Sequence, residues 1–182
     1  MATAALISAG EYLNTAFEHD AEFVDGRIEE RPVGERDHGL LQRKLLLLLS
    51  TPAAEQYFLC IPELRIQTLP SRFRVPDLSL IRTDAPEEQV VTTPPLLCIE
   101  ILSPEDTMQR TLARVRELLG MGVPEVWVFD PASRTVQVCA GSSRTERSEG
   151  MLLVPESPVA VSIADVFAAI VPESSKLRPS GQ

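Results

Sequence analysis

Two acidic residues stand where acids are costly. Glu100 lies in the apolar run LLCIEIL (96–102), and Asp77 lies in VPDLSLI (75–81). A carboxylate inside such a run is expensive to desolvate unless it is paired, hydrogen-bonded or bound to a metal. If the two segments are neighbouring strands, one register brings both carboxylates to the same face near the same end. Two converging carboxylates form a hard, oxygen-rich site. That suits magnesium, which takes a few carboxylates, water and a substrate phosphate. The plainer alternative is an ion-pair network. In it Glu100 meets an arginine such as Arg65, and Asp77 caps a turn after Pro76. Glu63 in PELRIQ and Glu22 ahead of Phe23-Val24-Asp25-Gly26 could join the site, although most acids are exposed.

Other chemistries lack their residues. No GxGxxG opens a helix, no GxxxxGK[ST] occurs, and there is no GxSxG or HExxH. Only His19 and His38 are available to a transition metal. The three cysteines, Cys60, Cys98 and Cys139, are odd in number and widely spaced, which argues against a disulfide framework or a cysteine zinc site. A formal charge of −9 excludes a wholly basic nucleic-acid-binding surface, and 5% aromatic residues argue against a stacking platform for single strands.

The elements that must position the acids follow from pattern. Helices are expected at Ile7–Phe17 with Ser8 as cap, at Asp37–Ser50 before Thr51-Pro52, at Thr107–Met121, and at Ser162–Ile170. Strands are expected at Phe23–Arg31 (a strand pair or one bent strand, with Asp25-Gly26 as the turn), Tyr57–Leu69, Arg74–Ile81, Leu96–Leu102, Val126–Phe129 and Thr135–Cys139. The doubly apolar Leu96–Leu102 belongs in the middle of a sheet. The polar stretch Gly141–Gly150 reads as a loop. This order implies an α/β fold, an α+β arrangement of one mixed sheet flanked by helices, in one domain over residues 1–171. Residues 172–182 read as a disordered tail. No run is long enough to span a membrane, and the N-terminus lacks the charge pattern of a signal peptide, so a cytoplasmic protein is expected.

At this point the chain resembles a known family. AEFVDGRIEE, GERDHGLLQRKLLLLL, PELRIQ, RFRVPDLSLI, TPPLLCIEILSPED and MGVPEVWVFDP are similar to segments of the putative restriction endonucleases of bacteria, a branch of the PD-(D/E)xK nuclease superfamily. The resemblance runs from about Ile7 to Val138. It implies a restriction-endonuclease-like core, with Asp77 and Glu100 as metal-binding acids and Glu22 as a third candidate ligand. It also implies a departure. Leu102 stands where the superfamily carries lysine. The position on the following helix where this family carries one is Arg114, and an aromatic expected one turn later is Leu118.

Lysine can lose its proton on burial, whereas arginine stays charged and stabilises developing charge without acting as a base. The resemblance therefore implies phosphodiester hydrolysis assisted by magnesium, or alternatively manganese. Asp77, Glu100 and Glu22 hold the ion, and Arg114 steadies transition-state charge. His38 reads as a packing or cap-region residue before a general base, and Lys44 as a solvated helix charge. Arg72, Arg74 and Arg110 are the expected phosphate contacts, with Arg65 and Arg116 nearby. The expected partners are DNA, bound weakly or transiently given the negative charge, and a second copy in a homodimer. Two alternatives stay open: a catalytically silent nuclease fold serving as an interaction module, and a phosphodiesterase acting on another substrate.

Overall fold

Strand Leu97–Ile101 is buried at all five positions, and the protein is layered around it. The computed structural model describes residues 6–17, 21–31 and 34–170. In chain order the elements are α1 (Ala9–Asn14), β1 (Ala21–Val24), β2 (Arg27–Glu30), α2 (Arg36–Leu49), β3 (Phe58–Pro62), β4 (Ile66–Leu69), β5 (Arg72–Arg74), β6 (Leu78–Arg82), β7 (Leu97–Ile101), α3 (Met108–Met121), β8 (Glu125–Asp130), β9 (Thr135–Ala140), β10 (Ser143–Arg147), β11 (Met151–Leu153), β12 (Ala160–Ser162) and α4 (Ile163–Phe167).

A six-stranded sheet runs β10-β9-β8-β7-β6-β3. Its β7–β8 pair is parallel, while its other pairs are antiparallel. Parallel neighbours need a long crossover, and α3 supplies it. Along β7, Leu97, Ile99 and Ile101 face one core with Leu41, Leu45 and Leu49 of α2. Cys98 faces the other core with Val115 and Leu118 of α3. Strand alternation puts Glu100 on that α3 side. Thr107 caps α3 by accepting the Arg110 amide hydrogen, and Gly122 closes it at φ +111°.

The mixed sheet flanked by helices is as expected, and several details differ. A separate four-stranded sheet runs β2-β1-β5-β4, and β11 pairs with β12. Tyr57–Leu69 is two strands, β3 and β4, parted near Glu63 at φ +52°. Arg74–Ile81 is likewise divided, because Pro76 has no amide hydrogen and holds Val75 extended. At Val75-Pro76-Asp77 the chain leaves the small sheet and enters the large one. Gly141–Gly150 contains a strand, β10, fully exposed along its length and paired to β9 at the sheet edge. A strand wetted on both faces carries no apolar alternation to read. Helix α2 starts at Arg36, after Glu35, with Asp37 in its first turn rather than at its cap. The tail expected from residue 172 lies outside the described residues.

Tyr12 fastens α1 to the small sheet. Its ring lies 5.2 Å from Phe23 and 5.4 Å from Phe73, and its hydroxyl donates to the Ala21 carbonyl at 2.7 Å. Among the described residues, no helix is long and apolar enough to cross a membrane.

Leu45 is fully buried between α2 and the sheet. Leu45→Ala is expected to cost about 2–5 kcal/mol of unfolding free energy, measured by urea denaturation, through lost burial and the cavity left behind.

Candidate active site

The register that joins β6 to β7 pairs Leu78 with Ile99. One step further along that register places Asp77 opposite Glu100. Each residue is 2% exposed. Asp77 is held from three directions. Its Oδ2 accepts the Ile101 amide hydrogen at 2.6 Å. Its Oδ1 lies 2.5 Å from Nη2 of Arg31 and 3.3 Å from Nε2 of His38. Burial pushes the Asp77 carboxyl upward. The His38 hydrogen bond, the Arg31 charge and the Ile101 amide outweigh it, so the group lies below the usual carboxylate range.

Glu100 has the opposite balance. Its Oε2 lies 3.7 Å from Nη2 of Arg114, beyond hydrogen-bond range, and its Oε1 is buried with no hydrogen-bond partner among the described residues. Burial, opposed by Arg114 and reinforced by Asp77, pushes its carboxyl up to about 8. Two facing acids thus stand on opposite sides of neutrality, the pattern expected when like charges share a dry site. Arg114 also reaches Asp106, Nη2 to Oδ1 at 3.2 Å.

Glu22 lies on β1, with both oxygens taken: Oε1 by the Val75 amide at 3.0 Å and Oε2 by Nη1 of Arg74 at 2.6 Å. Arg74 makes a two-pronged pair with Glu117 at 2.8 and 2.9 Å and also meets Glu29 at 3.2 Å. Arg72 meets Asp25 and Glu117. Arg110 is exposed at the start of α3. Arg65 lies over the Tyr12 ring, 4.7 Å from its centroid, so the arginine beside Glu100 is Arg114. Glu63 lies on the Asp77 backbone, its amide donating to the Asp77 carbonyl at 3.3 Å. Gln42 donates to that same carbonyl at 3.2 Å.

Arg31 and His38 are the site residues that pattern alone misses as such. Arg31 follows an acidic strand in a polar segment, RIEERP, and carries no sequence signal of its own. His38 stands among matched residues, and only folding shows it against Asp77. Gly34 explains its fit: a Cβ there would come within 2.6 Å of the His38 Nδ1. An open cavity of about 360 Å³ adjoins the site, lined by His38, Leu102, Ser103, Asp106, Asp130 and Glu35 among others.

Among the described residues, no cluster of three or more His, Cys, Asp and Glu side chains is arranged to hold a metal ion. The donor set is the Asp77–Glu100 pair. Magnesium, which keeps most of its waters and needs only one or two carboxylates, is compatible with such a pair, and Oε1 of Glu100 has no hydrogen-bond partner among the described residues.

The sequence profile of the putative restriction endonuclease family matches residues 10–165. A solved structure, that of a putative nuclease from Anabaena variabilis, superposes with a TM-score of 0.78 at 22% identity. The match covers 90% of this chain and 98% of that one. A weaker likeness, TM-score 0.40 at 14% identity, is to a DrdV–DNA complex; it covers 73% of this chain and 13% of that one. No curated protein sequence matches the chain.

Two outcomes are expected from this geometry. Glu100 binds its proton more tightly when folded than at its ordinary value of 4.5. The native state therefore carries the extra proton, and stability falls as pH rises from about 4.5 to about 8. Glu100→Gln removes that dependence. With a chelator present it is expected to stabilise the protein by on the order of a few kcal/mol at pH 8 and by little at pH 5, read by urea unfolding. Gly34→Ala is expected to move the His38 ring away from Asp77 while changing the melting temperature little, since a side chain gives way rather than backbone. The nitrogen chemical shifts of the His38 imidazole report it.

Proposed function

The chain belongs to the putative restriction endonuclease family, and from that membership we propose that it is a metal-dependent endonuclease hydrolysing DNA phosphodiester bonds. One observation carries the reading: Asp77 and Glu100, one register step beyond the Leu78–Ile99 pair, are both buried and act on each other electrostatically, and one Glu100 oxygen has no hydrogen-bond partner among the described residues. Asp77 and Glu100 would hold the ion. Glu22, bound to Arg74 and the Val75 amide, braces the site beside them. A divalent cation there supplies Lewis acidity toward a phosphate and an activated water. Magnesium fits the donor set, and manganese, which also favours oxygen ligands, is the alternative.

The chain's own residues do the rest. Arg114, fixed by Asp106 and adjacent to Glu100, offers permanent positive charge to a developing phosphorane. It cannot serve as a base. His38 donates from Nε2 to Asp77, which orients the ring and holds that carboxylate charged. Among the described residues, the adjoining cavity carries Glu35, Asp37, Asp106 and Asp130 and no lysine or arginine. A phosphate entering it meets negative charge, which a bound divalent cation would offset. Arg110 is the exposed candidate for a backbone phosphate contact, whereas Arg72 and Arg74 are committed to internal acids. Such sparse cationic contact favours weak, salt-sensitive DNA binding.

One observation favours a second reading, a silent nuclease fold acting as an interaction module: Asp77 is already paired with an arginine of the chain, Arg31. Incubation of the purified protein with plasmid DNA and magnesium or manganese separates the two. Cleavage is expected with wild type and is expected to fall to the protein-free background in Asp77→Asn and Glu100→Gln. Intact plasmid with wild type under both metals would sink the nuclease reading.

A further inference from the structure

Arg31 stands at the end of β2, on the small sheet, yet its guanidinium reaches the Asp77 carboxylate at the start of β6, on the large one. The side chain is only 15% exposed. Among its surroundings, Asp77, Glu100 and Glu22 all act on it electrostatically. It thus supplies a positive charge in the acid cluster where a divalent cation would do the same.

We propose that Arg31 competes with the divalent cation for Asp77, so that the Arg31–Asp77 ion pair must open before the ion is held, and Arg31 sets the affinity of the site. This rests on the reading of Asp77 and Glu100 as cation ligands.

The geometry leaves little alternative to that exchange. Asp77 Oδ2 is taken by the Ile101 amide, a backbone donor within the sheet that does not move aside. A cation that engages Oδ1 meets the oxygen that Arg31 and His38 share, and one on the free lone pair of Oδ2 still meets the Arg31 charge across the same carboxylate. His38 can stay, since a neutral imidazole still donates from Nε2. Arg31 cannot stay, because guanidinium keeps its charge at every relevant pH and a doubly charged neighbour repels it. Its long side chain has somewhere to go: Glu29, with a partly exposed side chain, lies on β2 two residues earlier. Arg114 is placed differently. Its Nη2 is fixed by Asp106 and does not touch Asp77, so it can remain beside Glu100 with the ion in place. Coupling of this kind is reciprocal: whatever the ion pair contributes to the free protein is subtracted from cation binding.

Calorimetric titration of the full chain with manganese chloride tests this. Arg31→Met is expected to bind manganese about tenfold more tightly than wild type, or better still. Arg31→Lys, which keeps the charge, is expected to stay near the wild-type affinity. Melting provides a readout independent of activity. With a chelator, Arg31→Met melts below wild type, because Asp77 has lost its counter-charge; manganese then raises its melting temperature by more than it raises that of wild type. Arg31→Gln, uncharged yet still able to donate to Asp77, carries the same expectation should the methionine variant not fold. Equal manganese affinity in wild type and the uncharged variants, with binding still lost in Asp77→Asn, overturns the competition and leaves the nuclease reading intact. No manganese binding by any variant overturns both.

Discussion

Desolvation of two like charges is the constraint around which this protein is arranged. Asp77 and Glu100 lie on adjacent strands with water excluded from both. Neither could remain ionised there without compensation. The compensation is uneven. Asp77 receives a backbone amide, an imidazole and a guanidinium, while Glu100 receives one arginine at 3.7 Å and has one oxygen unpartnered. The result is one acid held charged and one pushed toward neutrality. An arrangement that leaves a buried carboxylate oxygen unsatisfied is not optimised for stability, and sites of that kind are disproportionately functional.

The rest of the polar interior serves the same end at one remove. Glu22 and Glu117 clasp Arg74, which is 4% exposed, and Glu22 also takes the Val75 amide just before the chain crosses between sheets. That crossing delivers Asp77 to the end of β6. A network that is fully hydrogen-bonded and buried specifies one geometry, because breaking any member leaves a charge stranded. Arginines that look available for phosphate in the sequence are therefore internal ties in the fold. The cavity beside the site is acidic, lined by Glu35, Asp37, Asp106 and Asp130.

Family membership and fold agree, and the chain departs from the lysine that the resemblance implies. Leu102 and Arg114 replace the positions where lysine is expected. Arginine at 114 holds charge near Glu100 without the capacity to accept a proton. The cations about the acid pair are then Arg31 and Arg114, both guanidinium.

Much of this was readable before any coordinates. Composition excluded a basic nucleic-acid-binding surface. The apolar frame around Glu100 marked a central strand and helical spacing marked α2, whereas the interruption that Pro76 makes beside Asp77 was not read. Those are local properties, because burial on both faces and helical periodicity leave their imprint residue by residue. What only tertiary structure decided is which charges meet. Arg31 and Asp77 are 46 residues apart, and Arg74 and Glu22 are 52 apart. Such pairings depend on strand register and on which sheet each short strand joins, and one residue of slip would turn every side chain to the other face. A sequence displays its acids and arginines but not their distances. At this site, distance separates the Arg31–Asp77 ion pair from a Glu100 oxygen with no hydrogen-bond partner among the described residues.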